Sequence, residues 1–214
     1  CCIVILELIS THFQLLQSFY PFIKASIVGS LIVFFIFKTR NDSGKAKYLT
    51  LSALLFCVIG DVLLTFVDKS ENYFILGLVA FLIGHLFYIF VFSKNKSLKN
   101  LQSIFTLAIV SYCLVYFMIL KPHLDSLMLP VLIYMIVILI MAITAYLRKQ
   151  QVNRHSFNFV LLGALLFVIS DSILAFNKFY QNIEYASLLI MTTYSFAQYF
   201  IIFGLLKEKN NLKV

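Results

Sequence analysis

Long apolar stretches, separated by short charged or polar clusters, run along almost the entire 214-residue chain. A helix needs ~20 predominantly apolar residues to cross the hydrocarbon core of a bilayer. The pattern therefore predicts an all-α membrane helix bundle with about eight transmembrane helices in one domain, residues 1–214. The first predicted span is diluted by polar residues and the second is short. The predicted spans are residues 3–20, 22–37, 48–67, 73–92, 101–119, 126–147, 157–176 and 183–206.

The composition and the placement of charge support a membrane protein. The chain is 62% hydrophobic and 12% charged, which excludes an ordinary soluble domain. Of its 17 Lys and Arg residues, 13 fall on one side of the predicted spans, which is the positive-inside pattern. With eight spans, both termini lie in the cytoplasm, and we expect a multi-pass protein of the cell (inner) membrane. The net charge of +8 thus reflects topology and contact with the lipid bilayer, and we expect no nucleic-acid partner.

Two aspartates, Asp61 and Asp171, lie deep inside apolar spans. A carboxyl group at that depth costs roughly 2.5–3.5 kcal/mol on insertion scales. The surrounding segments, residues 51–66 and 161–176, share six further identical residues when they are aligned on the aspartates with a shift of 110 residues. Both segments start from the predicted cytoplasmic side, so the similarity predicts a parallel internal repeat. A functional aspartate pair is the first hypothesis, although a single buried aspartate can also serve only to hold helices together.

Position along a span gives an approximate depth, because a helix rises 1.5 Å per residue. Asp61 lies ~5 Å and Asp171 ~7 Å from the centres of their spans, both toward the predicted outer face, so they share a layer. Each further candidate also has a purely structural interpretation, as a core histidine, an interhelical hydrogen-bonding group or an interfacial anchor. The glycines at 60, 77, 84 and 163 are predicted to allow close helix approach. The further candidate site residues are Lys24, His85, Tyr88, Tyr194 and Gln198.

Two carboxyl groups that share a low-dielectric site do not both ionise easily, so one becomes an acid and the other a base. Hydrolases use this arrangement. The chain has neither the GxSxG pattern of serine lipases nor the HExxH pattern of zinc enzymes. Asp61, His85 and Asp171 could form a metal site in principle, but no second histidine joins them, so we expect no metal and no cofactor. The alternative functions are a proton-coupled transporter, since intramembrane carboxylates suit proton relay, and a non-catalytic lipid-binding membrane protein.

Five short segments of the predicted spans form a recognisable set. They are GDVLL at 60–64, GLVAFLIGHLFY at 77–88, YMIVILIM at 134–141, GALLFVISDSILAF at 163–176 and YSFAQ at 194–198. These segments resemble the YhhN-like membrane proteins, the family that includes the lysoplasmalogenases. They occur in the family's order, and the resemblance spreads from about residue 24 to residue 204. One position departs from the family pattern: Lys24 is followed by Ala25, where relatives often have Lys-Pro.

The resemblance implies eight membrane helices and hydrolysis of the vinyl ether bond of a lysophospholipid, the lysoplasmalogen. It also implies that Asp61 and Asp171 are the catalytic pair. Such a reaction needs a proton donor and a carboxylate that stabilises the cation and activates water. As a hypothesis, Asp171 is the acid and Asp61 the base, and the reverse is open. Lys24 would meet the substrate phosphate at the outer boundary.

Overall fold

The computed structural model describes residues 20–94 and 103–210, with side chains for 25–94 and 103–208. All regular elements within these ranges are helical, which confirms the all-α prediction for them. Two short 3-10 turns, Lys121–His123 and Asp125–Leu127, connect the fourth helix to the fifth. The α-helices are α1 (Tyr20–Lys38), α2 (Lys45–Leu64), α3 (Glu71–Ser93), α4 (Ile104–Leu120), α5 (Met128–Leu147), α6 (Arg154–Phe179) and α7 (Ala186–Asn210).

The described part of the chain contains six helices that are long and apolar enough to cross a membrane. They are α2 to α7, with the adjoining 3-10 turns counted for α4 and α5, and they correspond to the last six predicted spans. The apolar segment Ala25–Lys38 of α1 is shorter, and the predicted span 3–20 lies almost entirely outside the described residues. The chain is therefore a multi-pass helical membrane protein, and the count of eight spans stays a prediction.

Polar caps, rather than the edges of the apolar stretches, determine where α4 and α6 begin. The side chain of Asn153 accepts a hydrogen bond from the Ser156 backbone N–H at 2.8 Å and starts α6. Ser103 accepts one from the Thr106 N–H at 3.2 Å and starts α4. These contacts satisfy amide groups that the first turn of a helix leaves without partners. Consequently α6 begins three residues before the predicted span 157–176. Its other end, Phe179, lies three residues after that span.

The chain divides into two compact units between Val91 and Phe92. In the first unit, α1 packs on α2, and α2 and α3 lie close together through glycines. A Cβ atom on Gly60 would lie 2.6 Å from the Phe81 ring, and one on Gly77 would lie 2.8 Å from Leu64 Cδ2. Both distances are shorter than Cβ contacts in real proteins, so α2 and α3 approach closely at these glycines, as the sequence predicts. Organisation as a single membrane domain stays a prediction.

In the second unit, the pair formed by α6 and α7 has the most extensive packing. A Cβ atom on Gly163 would lie 2.7 Å from the Ala197 carbonyl oxygen, which confirms the predicted role of this glycine. Helix α5 packs against α6, and α4 packs against α5. Near the turn between α4 and α5, the buried residues Leu120, Leu124 and Val131 form an apolar cluster on which Phe179 of α6 also packs.

Candidate active site

Asp61 lies on α2 in the first unit, and only 1% of its surface is exposed. The contacts between α2 and α3 define a regular antiparallel register, which places Asp61 level with Ala80. The pairs in contact are Cys57 with Gly84, Gly60 with Phe81 and Leu64 with Gly77. Asp61 is thus a buried carboxyl group within an apolar helix, at the place where the sequence predicts a functional group.

His85 and Tyr88, the two candidates on α3, are fully buried. In the register of the helix pair, they lie further along α3 than the level of Asp61, by ~7–8 Å and ~12 Å respectively. The structure therefore brings all three residues into one helical hairpin and places His85 and Tyr88 one to two turns from the layer of the aspartate.

Asp171 lies on α6 in the second unit and is partly buried. Its Oδ2 accepts a hydrogen bond from the hydroxyl of Tyr134, a buried residue of α5. On the other side of the helix, Ser170 donates a hydrogen bond to the Ile190 carbonyl oxygen of α7 at 3.0 Å. Polar contacts from both neighbouring helices thus hold the backbone and the carboxyl group at this point of α6.

Two tyrosines of α4 contact the residue that follows Asp171. The Tyr112 hydroxyl donates to Ser172 Oγ at 2.8 Å, and the Tyr116 hydroxyl donates to the Ser172 carbonyl oxygen. Ser172 Oγ in turn donates to the Val168 carbonyl oxygen at 2.7 Å. The two phenol rings stack with their centroids 5.8 Å apart. Tyrosines from α4 and α5 therefore converge on the segment of α6 that carries the aspartate.

Tyr194 and Gln198, the candidates on α7, are both buried. The Tyr194 ring meets Phe167 edge to face, with the ring centroids 5.3 Å apart. Because Ser170 faces Ile190, the level of Asp171 on α7 lies near residue 190. Tyr194 then lies ~6 Å and Gln198 ~12 Å further along the helix. As in the first unit, the structure places these two residues one to two turns from the aspartate layer.

Lys24 lies within α1, but its side chain is outside the described residues. Among the side chains that the structure describes, no three or more of His, Cys, Asp and Glu form a group that could hold a metal ion. The candidate side chains thus lie in two separate groups, a carboxyl, an imidazole and a phenol on α2 and α3 of the first unit, and a carboxyl, phenols and an amide on α5, α6 and α7 of the second.

Sequence reasoning missed Tyr134 and the tyrosines of α4. Tyr134 begins one of the segments that resemble the YhhN-like proteins, which was the available signal for it. Tyr112 and Tyr116 carry no such signal, because tyrosine is common in membrane spans and its hydroxyl partner cannot be read from spacing.

A second polar cluster lies at the far end of the α5–α6–α7 group. The Arg148 guanidinium is 1% exposed, forms a salt bridge with Glu208 and donates a hydrogen bond to Ser156 Oγ at 3.1 Å. It also lies over the Phe92 ring, 5.6 Å from its centroid. Burial lowers the pKa of the guanidinium, while the negative charge and the hydrogen bond of Glu208 oppose that shift. This ion pair ties the start of the α5–α6 connection to the last turns of α7.

The chain is similar to several curated lysoplasmalogenases. It is 32% identical to lysoplasmalogenase TMEM86B of Sus scrofa over 180 residues, which cover 84% of this chain and 72% of the relative. Identity to TMEM86B of Mus musculus is 31% over 187 residues, which cover 87% and 75% respectively. Lysoplasmalogenase TMEM86A of Homo sapiens is 31% identical over 150 residues, 68% of this chain and 60% of the relative. No solved structure matches the chain. The sequence profile of the YhhN family matches residues 19–205, and the chain belongs to that family.

Proposed function

We propose that this chain is a lysoplasmalogenase, a membrane hydrolase that cleaves the vinyl ether bond of lysoplasmalogens. The observation that carries the proposal is the similarity, at about 30% identity over most of the chain, to relatives that are named lysoplasmalogenases. The buried carboxyl group of Asp61 and the hydrogen-bonded one of Asp171 are suited to this chemistry.

The proposed reaction begins with transfer of a proton from a neutral carboxylic acid to the β-carbon of the vinyl ether. This step leaves an oxocarbenium ion at the carbon bound to oxygen, and a carboxylate stabilises the ion. Water then adds to that carbon while the carboxylate takes up the water proton. The resulting hemiacetal collapses to a fatty aldehyde and a glycerophospho-alcohol. One acid and one base account for every proton, so the reaction needs two carboxyl groups in opposite protonation states.

Asp61 and Asp171 are the proposed catalytic pair. Their matched depth in the sequence, in segments 110 residues apart, supports a shared role. The remaining candidates are proposed to surround the substrate: Lys24 to meet the phosphate, and His85, Tyr88, Tyr194 and Gln198 to line the site toward the predicted cytoplasmic side. The four residues on α3 and α7 occupy levels one to two turns from the aspartates, as such a lining requires.

We also propose that the two aspartate-bearing hairpins are copies in a parallel internal repeat. The 110-residue shift converts the contact between Cys57 and Gly84 into that between Phe167 and Tyr194, which also pack together. The same shift converts Gly60 and Phe81 into Ser170 and Met191, and Ser170 bonds to the neighbouring residue, Ile190. The hairpins α2–α3 and α6–α7 thus have the same register within about one residue. Tyr88 and Gln198, both fully buried, fall at equivalent positions.

The proposed topology has eight spans in the cell (inner) membrane, with both termini in the cytoplasm. The distribution of Lys and Arg supports this orientation. In it, the aspartates lie ~8–10 Å below the outer hydrocarbon boundary, since half the core is ~15 Å thick. A lysolipid whose head group rests at the boundary presents its sn-1 linkage only slightly below it.

Substrate comparison with purified protein in detergent tests the proposal. Three lysophospholipids with the same head group and chain length are supplied, with a vinyl ether, a saturated alkyl ether or an acyl ester at sn-1. We expect aldehyde from the vinyl ether alone, because only a double bond next to oxygen can be protonated to an oxocarbenium ion.

Two other outcomes of this substrate comparison would contradict the proposed function. Fatty acid released from the ester would indicate a carboxylester hydrolase and would contradict the proposed chemistry. No product from any of the three, with several head groups and a folded protein, would overturn the proposed function. Substrate-driven proton flux in vesicles would then separate a transporter from a lipid-binding protein.

A further inference from the structure

We propose that Tyr134 is a positioning residue that holds Asp171 as a carboxylate, so that Asp171 serves as the base and Asp61 as the proton donor. This inference rests on the proposed function and extends it. It also reverses the assignment favoured by the sequence, in which Asp171 is the acid.

The geometry around Asp171 carries the inference. Tyr134 is 6% exposed, and its hydroxyl donates to Asp171 Oδ2 across the contact between α5 and α6. A neutral phenol has a single proton, and a carboxylate oxygen only accepts. A hydroxyl aimed at a carboxyl oxygen therefore stabilises the ionised form of that group more than the neutral form.

The neighbouring tyrosines fix the segment that presents this carboxylate. Tyr116 donates to the backbone carbonyl oxygen of Ser172, and Tyr112 donates to its side chain. Neither bond ends on Asp171 itself. Tyr112 and Tyr116 thus fix the position of the helix segment, whereas Tyr134 contacts the carboxyl group. Single variants of these tyrosines can therefore separate the two effects.

Other titratable groups of the second unit bear differently on Asp171. The described parts of α4, α5 and α6 contain no cation within a turn of the level of Asp171, and the two Lys residues of α7 lie at its far end. Besides Tyr134, the ionisable residues on these helices are Tyr112, Cys113 and Tyr116 on α4, Tyr146 on α5, Arg154, His155 and Lys178 on α6, and Tyr194, Tyr199, Lys207, Glu208 and Lys209 on α7. Lys121, His123 and Asp125 lie between α4 and α5. Tyr134 is a neutral donor to the carboxyl group of Asp171, and a single substitution removes its hydrogen bond.

The pH dependence of kcat/KM for the vinyl ether substrate tests the role of Tyr134. A group that must be ionised controls the acidic limb of the profile, and a group that must be protonated controls the alkaline limb. In Tyr134→Phe, we expect the acidic limb to move to higher pH by about one unit, the size of one hydrogen bond to a charged group. The matched control is Tyr112→Phe, which removes a phenol hydroxyl from the same region and should leave both limbs in place.

Two results would overturn the inference. Movement of the alkaline limb in Tyr134→Phe would make Asp171 the acid. An unchanged profile, or the same change in Tyr112→Phe, would reduce Tyr134 to a packing residue.

Infrared titration of the protonated carboxyl band provides a readout that needs no activity. The band of Asp171 is identified by its absence in Asp171→Asn. We expect this band to appear at higher pH in Tyr134→Phe than in the wild type. An unchanged titration would show that the Tyr134 hydroxyl does not stabilise the ionised form of Asp171. If the wild type released no aldehyde but the band moved as expected, the proposed function would fail while the effect of Tyr134 on Asp171 would stand.

Discussion

Substitution of Gly163 by alanine should destabilise the α6–α7 hairpin that carries Asp171. The added Cβ atom would lie 2.7 Å from the Ala197 carbonyl oxygen and 2.9 Å from the Ile201 backbone nitrogen. Both are backbone atoms, so no side-chain rotation relieves the overlap, and the two helices must separate. Overpacking of this kind costs about 1–3 kcal/mol. The higher helix propensity of alanine returns up to ~1 kcal/mol. We expect a net loss of about 1–2 kcal/mol in the free energy of unfolding.

Gly29→Ala is the matched control, because a Cβ atom at Gly29 in α1 would have no heavy atom within 4 Å. With no overlap, only the propensity term remains, and we expect a change between zero and a gain of ~1 kcal/mol. Both variants are measured by reversible unfolding in mixed micelles of mild detergent and SDS, followed by circular dichroism. If Gly163→Ala were as stable as the wild type and Gly29→Ala, the close contact between α6 and α7 would not govern stability, and the packing described for this hairpin would be wrong.

Two further predictions concern the buried ion pair and the head group. Glu208→Gln leaves the buried Arg148 guanidinium without its countercharge and should lower the free energy of unfolding by about 3 kcal/mol. The double variant Arg148→Met/Glu208→Gln should recover part of that loss, because it also removes the buried positive charge. A double variant less stable than Glu208→Gln would contradict this interpretation of the ion pair. Lys24→Met should raise KM without changing kcat, because contact with the phosphate persists through the reaction. The control is Lys69→Met, which removes an exposed lysine and should leave KM unchanged. A lower kcat with unchanged KM would exclude this role for Lys24.

Much of the helical architecture could be predicted from the sequence, because apolar length alone identifies segments that can cross a bilayer. Six predicted spans match helices of sufficient length. Their ends could not be read as well, since polar caps set the helix starts: Asn153 starts α6 before the predicted span 157–176, and Ser103 starts α4 inside the predicted span 101–119. The glycines were predictable because a residue without a side chain, inside a lipid-soluble helix, most simply serves close packing.

The polar contacts of the site could be predicted only in part. An aspartate in an apolar span stands out because its insertion is costly, so Asp61 and Asp171 were visible. The contact of Tyr134 could not be recognised in this way, because inserting a tyrosine into a membrane span costs little free energy and its partner, Asp171, lies on another helix. Arg148 was counted only among the basic loop residues that indicate topology, yet it is 1% exposed. Its partner Glu208 is 60 residues away in the sequence, and no local pattern joins the two.

Both aspartates are proposed to act in vinyl ether hydrolysis. The most direct measurement compares aldehyde release by the purified wild type, Asp61→Asn and Asp171→Asn in detergent, with circular dichroism to establish that each is folded. The exposed Asp68→Asn is the matched control for the loss of one carboxylate. General acid–base groups contribute about 10²–10⁴-fold to rate, so each site variant should lose at least ~100-fold in kcat while Asp68→Asn keeps wild-type activity. Near wild-type aldehyde release by either folded site variant would contradict the account.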